Sequence, residues 1–238
     1  MYYTTMVLAP GGRFVVVGAK EGHLQVLDSA SGGAVFEKLW AHGGGGDGEG
    51  AAGGRTDDEV SGAAVWSLAV RPDGKGFCSG GADKMVRFWD FTVGAAAGLG
   101  FAYSRKLSMP HDVLSVRYSP TTSERALLLC VGLLDNTVRI FFDDSLKFFL
   151  TLYGHKLPVM CLDVSYDSTI LVSGSADKTV KIWGLDFGDC HRSLIAHTDS
   201  VTSVRFQPRT HYFFTAGKDG VIKYWDADRY VCMLNDMA

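Results

Sequence analysis

The sequence predicts an all-β fold made of repeated four-stranded sheets, and three observations carry that prediction. The first is a repeat. Gly154-His155, the run Val159–Val164, Ser173-Gly174-Ser175-Ala176-Asp177 and Val180-Lys181-Ile182-Trp183 form one copy. At 42 positions further on stand Ala196-His197, Val201–Phe206, Thr215-Ala216-Gly217-Lys218-Asp219 and Ile222-Lys223-Tyr224-Trp225-Asp226. A fixed period of about 40–45 residues with His and Trp-Asp marks is the signature of propeller blades. The second is composition: 29 glycines, many β-branched and aromatic residues and no long helical pattern call for short strands joined by tight turns. The third is the set of nearly continuous apolar runs, such as residues 141–142 and 148–150, expected where a strand is buried on both faces.

The period, laid over the whole chain of 238 residues, gives five copies. The turn acid falls at Glu21, Asp83, Asp135, Asp177 and Asp219, and six positions later stand Leu27, Trp89, Phe141, Trp183 and Trp225. The acid-to-acid spacings are 62, 52, 42 and 42, so insertions of 20 and 10 residues are expected. Expected blades cover residues 1–40, 63–108, 111–153, 154–195 and 196–238, in one partial propeller over 1–238. Copy one has strands near 3–8, 13–18, 24–28 and 35–39. Residues 43–61 follow, rich in glycine with scattered acids. They offer too little apolar surface to offset ordering entropy and are read as a disordered loop supplying the first insertion.

Copy two has strands at Val65–Val70, 78–81 and 86–90, and a connection over 91–104 longer than its counterparts. That connection and the turn over 119–125 together supply the second insertion, both between strands, as surface loops allow. Copy three is the most divergent, with Met109 where a His is expected and Phe141 in place of Trp. Copies four and five are the regular pair, and the chain stops at Ala238 inside or just after the last strand of copy five.

The totals exclude several functional classes. A net charge of −3 gives no reason to expect a broad basic face for nucleic acid. The longest apolar run, 126–134, is far shorter than the roughly 18 residues of a membrane helix, and the N-terminus carries no secretory pattern. Five cysteines (Cys78, Cys130, Cys161, Cys190 and Cys232), odd in number and without C-x-x-C, read as buried free thiols rather than disulfides or a zinc site.

The one set that resembles a catalytic triad is His155, Ser173 and Asp177, echoed by His197, Thr215 and Asp219. A triad occurs once per site, whereas these recur at blade period together with Trp183 and Trp225. They are read as structural tetrads: a Trp N–H, a hydroxyl, an imidazole and a carboxylate linked in one buried chain of hydrogen bonds. Ser79, Asp83 and Trp89 form a partial set in copy two. Gly48-x-Gly50-x-x-Gly53 spells a dinucleotide fingerprint, but no helix follows it. Asp186-Phe187-Gly188 lacks the rest of a kinase site, and there is no P-loop. Arg87, Arg139, Lys181 and Lys223 recur four positions after the turn acid. The two readings are a nucleic-acid stripe and basic stems covering their neighbours, and the second is favoured. Lys20 and Lys218 are candidate contacts for a partner, and Trp66 is either an anchor for one or a core aromatic. No catalytic residue, cofactor, metal or small-molecule substrate is expected.

The Gly-His, Ser-x-x-x-Asp and Trp-Asp marks resemble the WD-repeat family over almost the whole chain. Leu146-Lys147-Phe148-Phe149-Leu150, Leu152-Tyr153-Gly154-His155-Lys156-Leu157-Pro158-Val159 and Phe213-Phe214-Thr215-Ala216-Gly217-Lys218-Asp219 narrow the resemblance. So do Lys181-Ile182-Trp183-Gly184-Leu185-Asp186-Phe187-Gly188-Asp189-Cys190-His191 and Gly80-Gly81-Ala82-Asp83-Lys84 with Phe88-Trp89-Asp90-Phe91. These are similar to the tandem-propeller WD-repeat subunits of the UtpB subcomplex of the small-subunit processome. The resemblance implies a non-catalytic scaffold in the nucleus and nucleolus. It implies partnership with other UtpB-type WD-repeat subunits, pre-ribosomal RNA and the box C/D small nucleolar ribonucleoprotein. It also implies that the five blades are an incomplete part of a seven-bladed second propeller. The alternative is a WD-repeat adaptor, such as a ubiquitin-ligase substrate receptor.

Overall fold

The computed structural model describes residues 2–38, 41–43, 62–93, 99–120 and 126–237. They form five four-stranded antiparallel sheets, each with its strands in chain order, and no helix. The first sheet holds β1 (Tyr3–Leu8), β2 (Phe14–Ala19), β3 (Leu24–Asp28) and β4 (Ala34–Lys38). The second holds β5 (Val65–Val70), β6 (Gly76–Gly81), β7 (Met85–Val93) and β8 (Leu99–Ser108). The third holds β9 (Val113–Tyr118), β10 (Leu128–Leu133), β11 (Val138–Phe142) and β12 (Phe148–Leu152). The fourth holds β13 (Val159–Val164), β14 (Ile170–Ser175), β15 (Thr179–Gly184) and β16 (Cys190–Ile195). The fifth holds β17 (Val201–Phe206), β18 (Tyr212–Gly217), β19 (Val221–Asp226) and β20 (Val231–Met237). Each sheet has the four-stranded, chain-order meander of a propeller blade.

The chain divides into two compact units, Met1–Val113 and Leu114–Ala238. Within the first, Val16, Leu24 and Val26 of one blade pack with Val65, Leu68, Phe77 and Trp89 of the next. Within the second, two such layers form. Cys130, Val138 and Ile140 meet Val159, Leu162 and Trp183 in one, and Val172, Val180 and Ile182 meet Val201, Val204, Phe213 and Trp225 in the other. The fourth sheet is covered on both faces by these two layers, which explains why β14 is buried at every position; β6 and β10 are likewise buried throughout. The fourth strand of a blade is different: β16 is exposed at all but one position.

The turn between the second and third strands of each blade is built the same way. The residue after the turn acid adopts positive φ in all five copies: Gly22, Lys84, Asn136, Lys178 and Gly220. In four copies the acid accepts the backbone N–H two residues on, from Met85, Thr137, Thr179 and Val221, an Asx-type turn that offsets the left-handed conformation. The repeat of an acid here is therefore a backbone requirement before it is anything else.

One expectation is corrected, and two fall largely outside the described residues. Much of the connection expected over 91–104 is strand. Phe91, Thr92 and Val93 pair with Phe101, Gly100 and Leu99, so this insertion lengthens a hairpin instead of looping out. Aromatic packing gives the reason: Phe101 lies edge-on to Phe36, Phe77 and Trp89, at ring separations of 4.8, 5.1 and 5.3 Å. The expected disordered loop over 43–61 lies, beyond Gly43, outside the described residues up to residue 61, as does the inserted turn from 121 to 125.

Candidate functional site

The structure brings His155, Ser173, Asp177 and Trp183 together, one group from each of four chain segments. Ser173 sits in the fully buried middle strand β14, Trp183 on its neighbour β15, Asp177 in the turn between them, and His155 just ahead of β13. The Trp183 indole N–H donates to Ser173 Oγ at 2.8 Å, and Ser173 Oγ lies 2.8 Å from His155 Nε2. His155 Nδ1 lies 3.0 Å from Asp177 Oδ2. A carboxylate only accepts, so Nδ1 carries the proton and Nε2 accepts the serine O–H. The chain of donors therefore runs one way, from indole to hydroxyl to imidazole to carboxylate, and every polar atom along it is used.

The same chain is present in the fifth blade. Trp225 donates to Thr215 Oγ1 at 2.9 Å, Thr215 Oγ1 lies 2.9 Å from His197 Nε2, and His197 Nδ1 is 3.0 Å from Asp219 Oδ1. Threonine replaces serine without loss because only the hydroxyl is read.

The second blade departs from the expected partial set. His42 completes it: Nε2 lies 2.7 Å from Ser79 Oγ, Nδ1 lies 2.8 Å from Asp83 Oδ1, and Trp89 donates to Ser79 Oγ at 2.8 Å. The insertion lies between the histidine and β5, so His42 is 41 residues from its acid, whereas His155 and His197 are each 22 from theirs. The dipeptide Ala41-His42, matching Ala196-His197, is the sequence signal that marks it. Here Asp83 also accepts from Arg87 Nη2 at 3.1 Å, a largely buried ion pair that gives one of the recurring basic residues a definite partner.

The electrostatics agree with neutral imidazole beside ionised carboxylate. Burial holds His155 and His42 below the ordinary histidine range, against the pull of Asp177 and Asp83. Burial pushes Asp177 up, but donors from Thr179, the Lys156 N–H and His155 outweigh it and bring the carboxyl down to about 2. Asp219 is likewise brought down to about 2, with the Thr198 and Val221 N–H groups and His197 outweighing its desolvation.

What this arrangement can do chemically follows from access. Ser79 and Ser173 are fully buried and Thr215 nearly so. Each hydroxyl has its proton on a histidine and a lone pair on an indole, so no substrate carbonyl can reach it along an attack line. Among the described residues no group of three or more His, Cys, Asp or Glu could hold a metal ion. Cys78, Cys130 and Cys161 are buried free thiols as expected, while Cys190 and Cys232 are exposed, because both stand on outer fourth strands. Burial pushes the Cys161 thiol up to about 12, leaving it unreactive.

Lys20 and Lys218 are exposed beside turn acids, their backbone N–H groups bound to Tyr2 and Ser200 carbonyls. Trp66 is 39% exposed and sits where the β5–β6 register shifts between Val65 and Ser67. A bulge there turns the indole partly toward solvent. Lys181 Nζ donates to Ser193 Oγ at 2.7 Å along its own blade.

One further residue carries a link the sequence did not indicate. Asp163 on β13 accepts the Phe206 N–H of β17 at 2.8 Å and lies 3.8 Å from Arg117 Nε of β9. One carboxylate thus ties the innermost strands of three successive blades. Burial raises its pKa, opposed by those two partners.

The model of the WDR3 second β-propeller domain matches residues 1–237. The chain belongs to that family. It is 49% identical over 163 residues to mouse WD repeat-containing protein 3 and 48% identical over 163 residues to the human protein, covering 66% of this chain in each case. It is 42% identical over 172 residues, 68% of this chain, to U3 small nucleolar RNA-associated protein 12 of Saccharomyces cerevisiae. The chain spans about 15% of the length of these relatives. For the WDR3 family assignment the decisive feature is extent, since the match runs through the divergent third blade as well as the regular fourth and fifth.

Proposed function

We propose that this chain is a non-catalytic scaffold segment of the small-subunit processome, acting with the box C/D small nucleolar ribonucleoprotein in pre-ribosomal RNA processing. It works in the nucleolus, beside other UtpB-type WD-repeat subunits. The observation that carries the reading is the 42% identity, over 68% of the chain, to a yeast protein named for its association with U3 small nucleolar RNA. The geometry supports it from the other side. Three triad-like sets are sealed inside the blades, each with its hydroxyl committed at both ends, which suits a rigid support rather than a reaction centre. Rigid blades leave the exposed turns with Lys20 and Lys218, and the partly exposed Trp66 on β5, to meet protein or RNA.

Affinity purification of the full-length protein from its native cells tests this. Recovery of U3 RNA, pre-ribosomal RNA and sister WD-repeat subunits is the expected outcome. Recovery of cullin subunits without pre-ribosomal RNA would overturn it in favour of a ubiquitin-ligase adaptor.

A further inference from the structure

His211 has a setting unlike the tetrad histidines, and the difference has a chemical consequence. Its Nδ1 lies 2.8 Å from Asp228 Oδ1 and its Nε2 lies 3.1 Å from Asp167 Oδ2. In the tetrads one ring nitrogen faces a carboxylate and the other a hydroxyl, which can donate, so the neutral ring satisfies both. At His211 both nitrogens face groups that only accept when ionised. A neutral ring carries one N–H, so one of the two contacts would set a nitrogen lone pair against a carboxylate oxygen. Only the imidazolium donates to both.

The two carboxylates belong to different blades. Asp167 is in the β13–β14 turn of the fourth, held there by Ser165 Oγ at 2.7 Å and by the Thr169 N–H at 3.2 Å. Asp228 follows β19 in the fifth, and His211 precedes β18 of that same blade. The Ala227 N–H donates to the His211 carbonyl at 3.1 Å, so the fifth-blade side of the contact is fixed by backbone. The link to Asp167 is therefore the part that crosses the seam. We propose that His211 is a protonation-dependent clasp between the fourth and fifth blades, joining their turns through both nitrogens only as the imidazolium.

The surrounding groups agree in sign. From the fourth blade the ring meets Asp167 and, at a centroid separation of 5.5 Å, the exposed Tyr166. From the fifth blade the charged groups of the adjoining turns are Asp228, Asp226 with Arg229 Nε at 3.8 Å, and Arg209. Burial lowers the His211 pKa, but the Asp228 and Asp167 hydrogen bonds and charges outweigh it, so the group titrates above the ordinary histidine value. A raised histidine contributes stability that is complete below its unfolded value of about 6.5 and is lost as pH rises through the folded value. The seam loosens with alkali, and Tyr166 loses the partner that its ring lies against.

Nitrogen-15 NMR of the histidine side chains in the 238-residue chain tests the clasp. Both His211 nitrogens are expected to be protonated at pH 6.5, while His42 and His155, held below the ordinary histidine value by burial, show one bare nitrogen each. Its titration midpoint is expected above that of an unfolded histidine, and Asp228→Asn, on an exposed carboxylate, moves it down. Hydrogen exchange in the 165–169 turn quickens above that midpoint in the native chain. In His211→Gln, which keeps one donor and has no charge to lose, the same exchange is independent of pH after correction for the intrinsic rate. One bare nitrogen on His211 at pH 6.5, or a midpoint unmoved by Asp228→Asn, would overturn the proposal.

Discussion

In the fourth blade the side chains gathered behind the turn acid are His155, Ser173 and Trp183. In the third blade the matching strand positions hold Val131 and Phe141, and Met109 stands in the sequence where the other blades place a histidine. Val131 and Phe141 are buried, as Ser173 and Trp183 are. The turn acid survives in both. Asp135 accepts the Thr137 N–H at 3.1 Å and its hydroxyl at 2.6 Å, just as Asp177 accepts from Thr179. The acid thus has two separable jobs. In four of the five blades it caps a left-handed turn, and only where a histidine is present does it also end a hydrogen-bond chain. Three polar groups that satisfy one another and three apolar groups that need no partner are both stable solutions; a mixture is not.

The largest expected effect comes from mixing them. Ser173→Ala strands the Trp183 N–H and His155 Nε2 and is expected to cost about 1–3 kcal/mol. His155→Met and Trp183→Phe, taken singly, each leave part of the chain unsatisfied as well. The triple variant His155→Met, Ser173→Val, Trp183→Phe writes the third blade's residues into the fourth. It is expected to cost less than the sum of the singles, by about 0.5–3 kcal/mol of coupling. Urea denaturation midpoints at unchanged slope measure this. Strict additivity would mean that the four groups are neighbours rather than a unit.

This comparison also marks what could be read from sequence. The period was legible because identical backbone turns demand the same acid at the same place, and the tetrads of the fourth and fifth blades followed from it at constant spacing. His42 was obscured because an insertion between histidine and strand changes the count without changing the geometry. Asp163 was illegible for a different reason. Its partners are an arginine on one neighbouring blade and a backbone N–H on the other, and a main-chain donor leaves no letter in the sequence. His211 likewise has no periodic counterpart, since its acids come from two turns that only folding brings together.

Acid is expected to separate the third and fourth blades by a smaller margin. His155 is held below its ordinary value, so its contribution is present above pH of about 6.5 and falls away as the unfolded chain takes up a proton below that. Asp177, depressed to about 2, contributes above its unfolded value and loses that contribution as pH falls toward 2. Val131 and Phe141 do not titrate. Amide exchange in β14 and β15, corrected for intrinsic rates, is expected to gain on that in β10 and β11 from pH 7 to pH 4. Parallel loss in both sheets would show that the tetrad is not the acid-labile part.

The smallest effect concerns the basic residues that recur beside the turn acids, and it sharpens the contrast within the polar blades themselves. Arg87 shares a mostly buried carboxylate with His42, and Arg87→Ala leaves Asp83 one donor short. Lys181 reaches away from its tetrad to Ser193 on the exposed fourth strand, where water replaces the lost contact. Lys181→Ala is therefore expected to shift stability by no more than about 0.5 kcal/mol. In Arg87→Ala the loss is larger because the carboxylate left behind is mostly buried. Equal effects at the two positions would mean that these residues act through their stems alone, as apolar cover for the third strand, and that the Arg87–Asp83 pair adds nothing to the tetrad it touches.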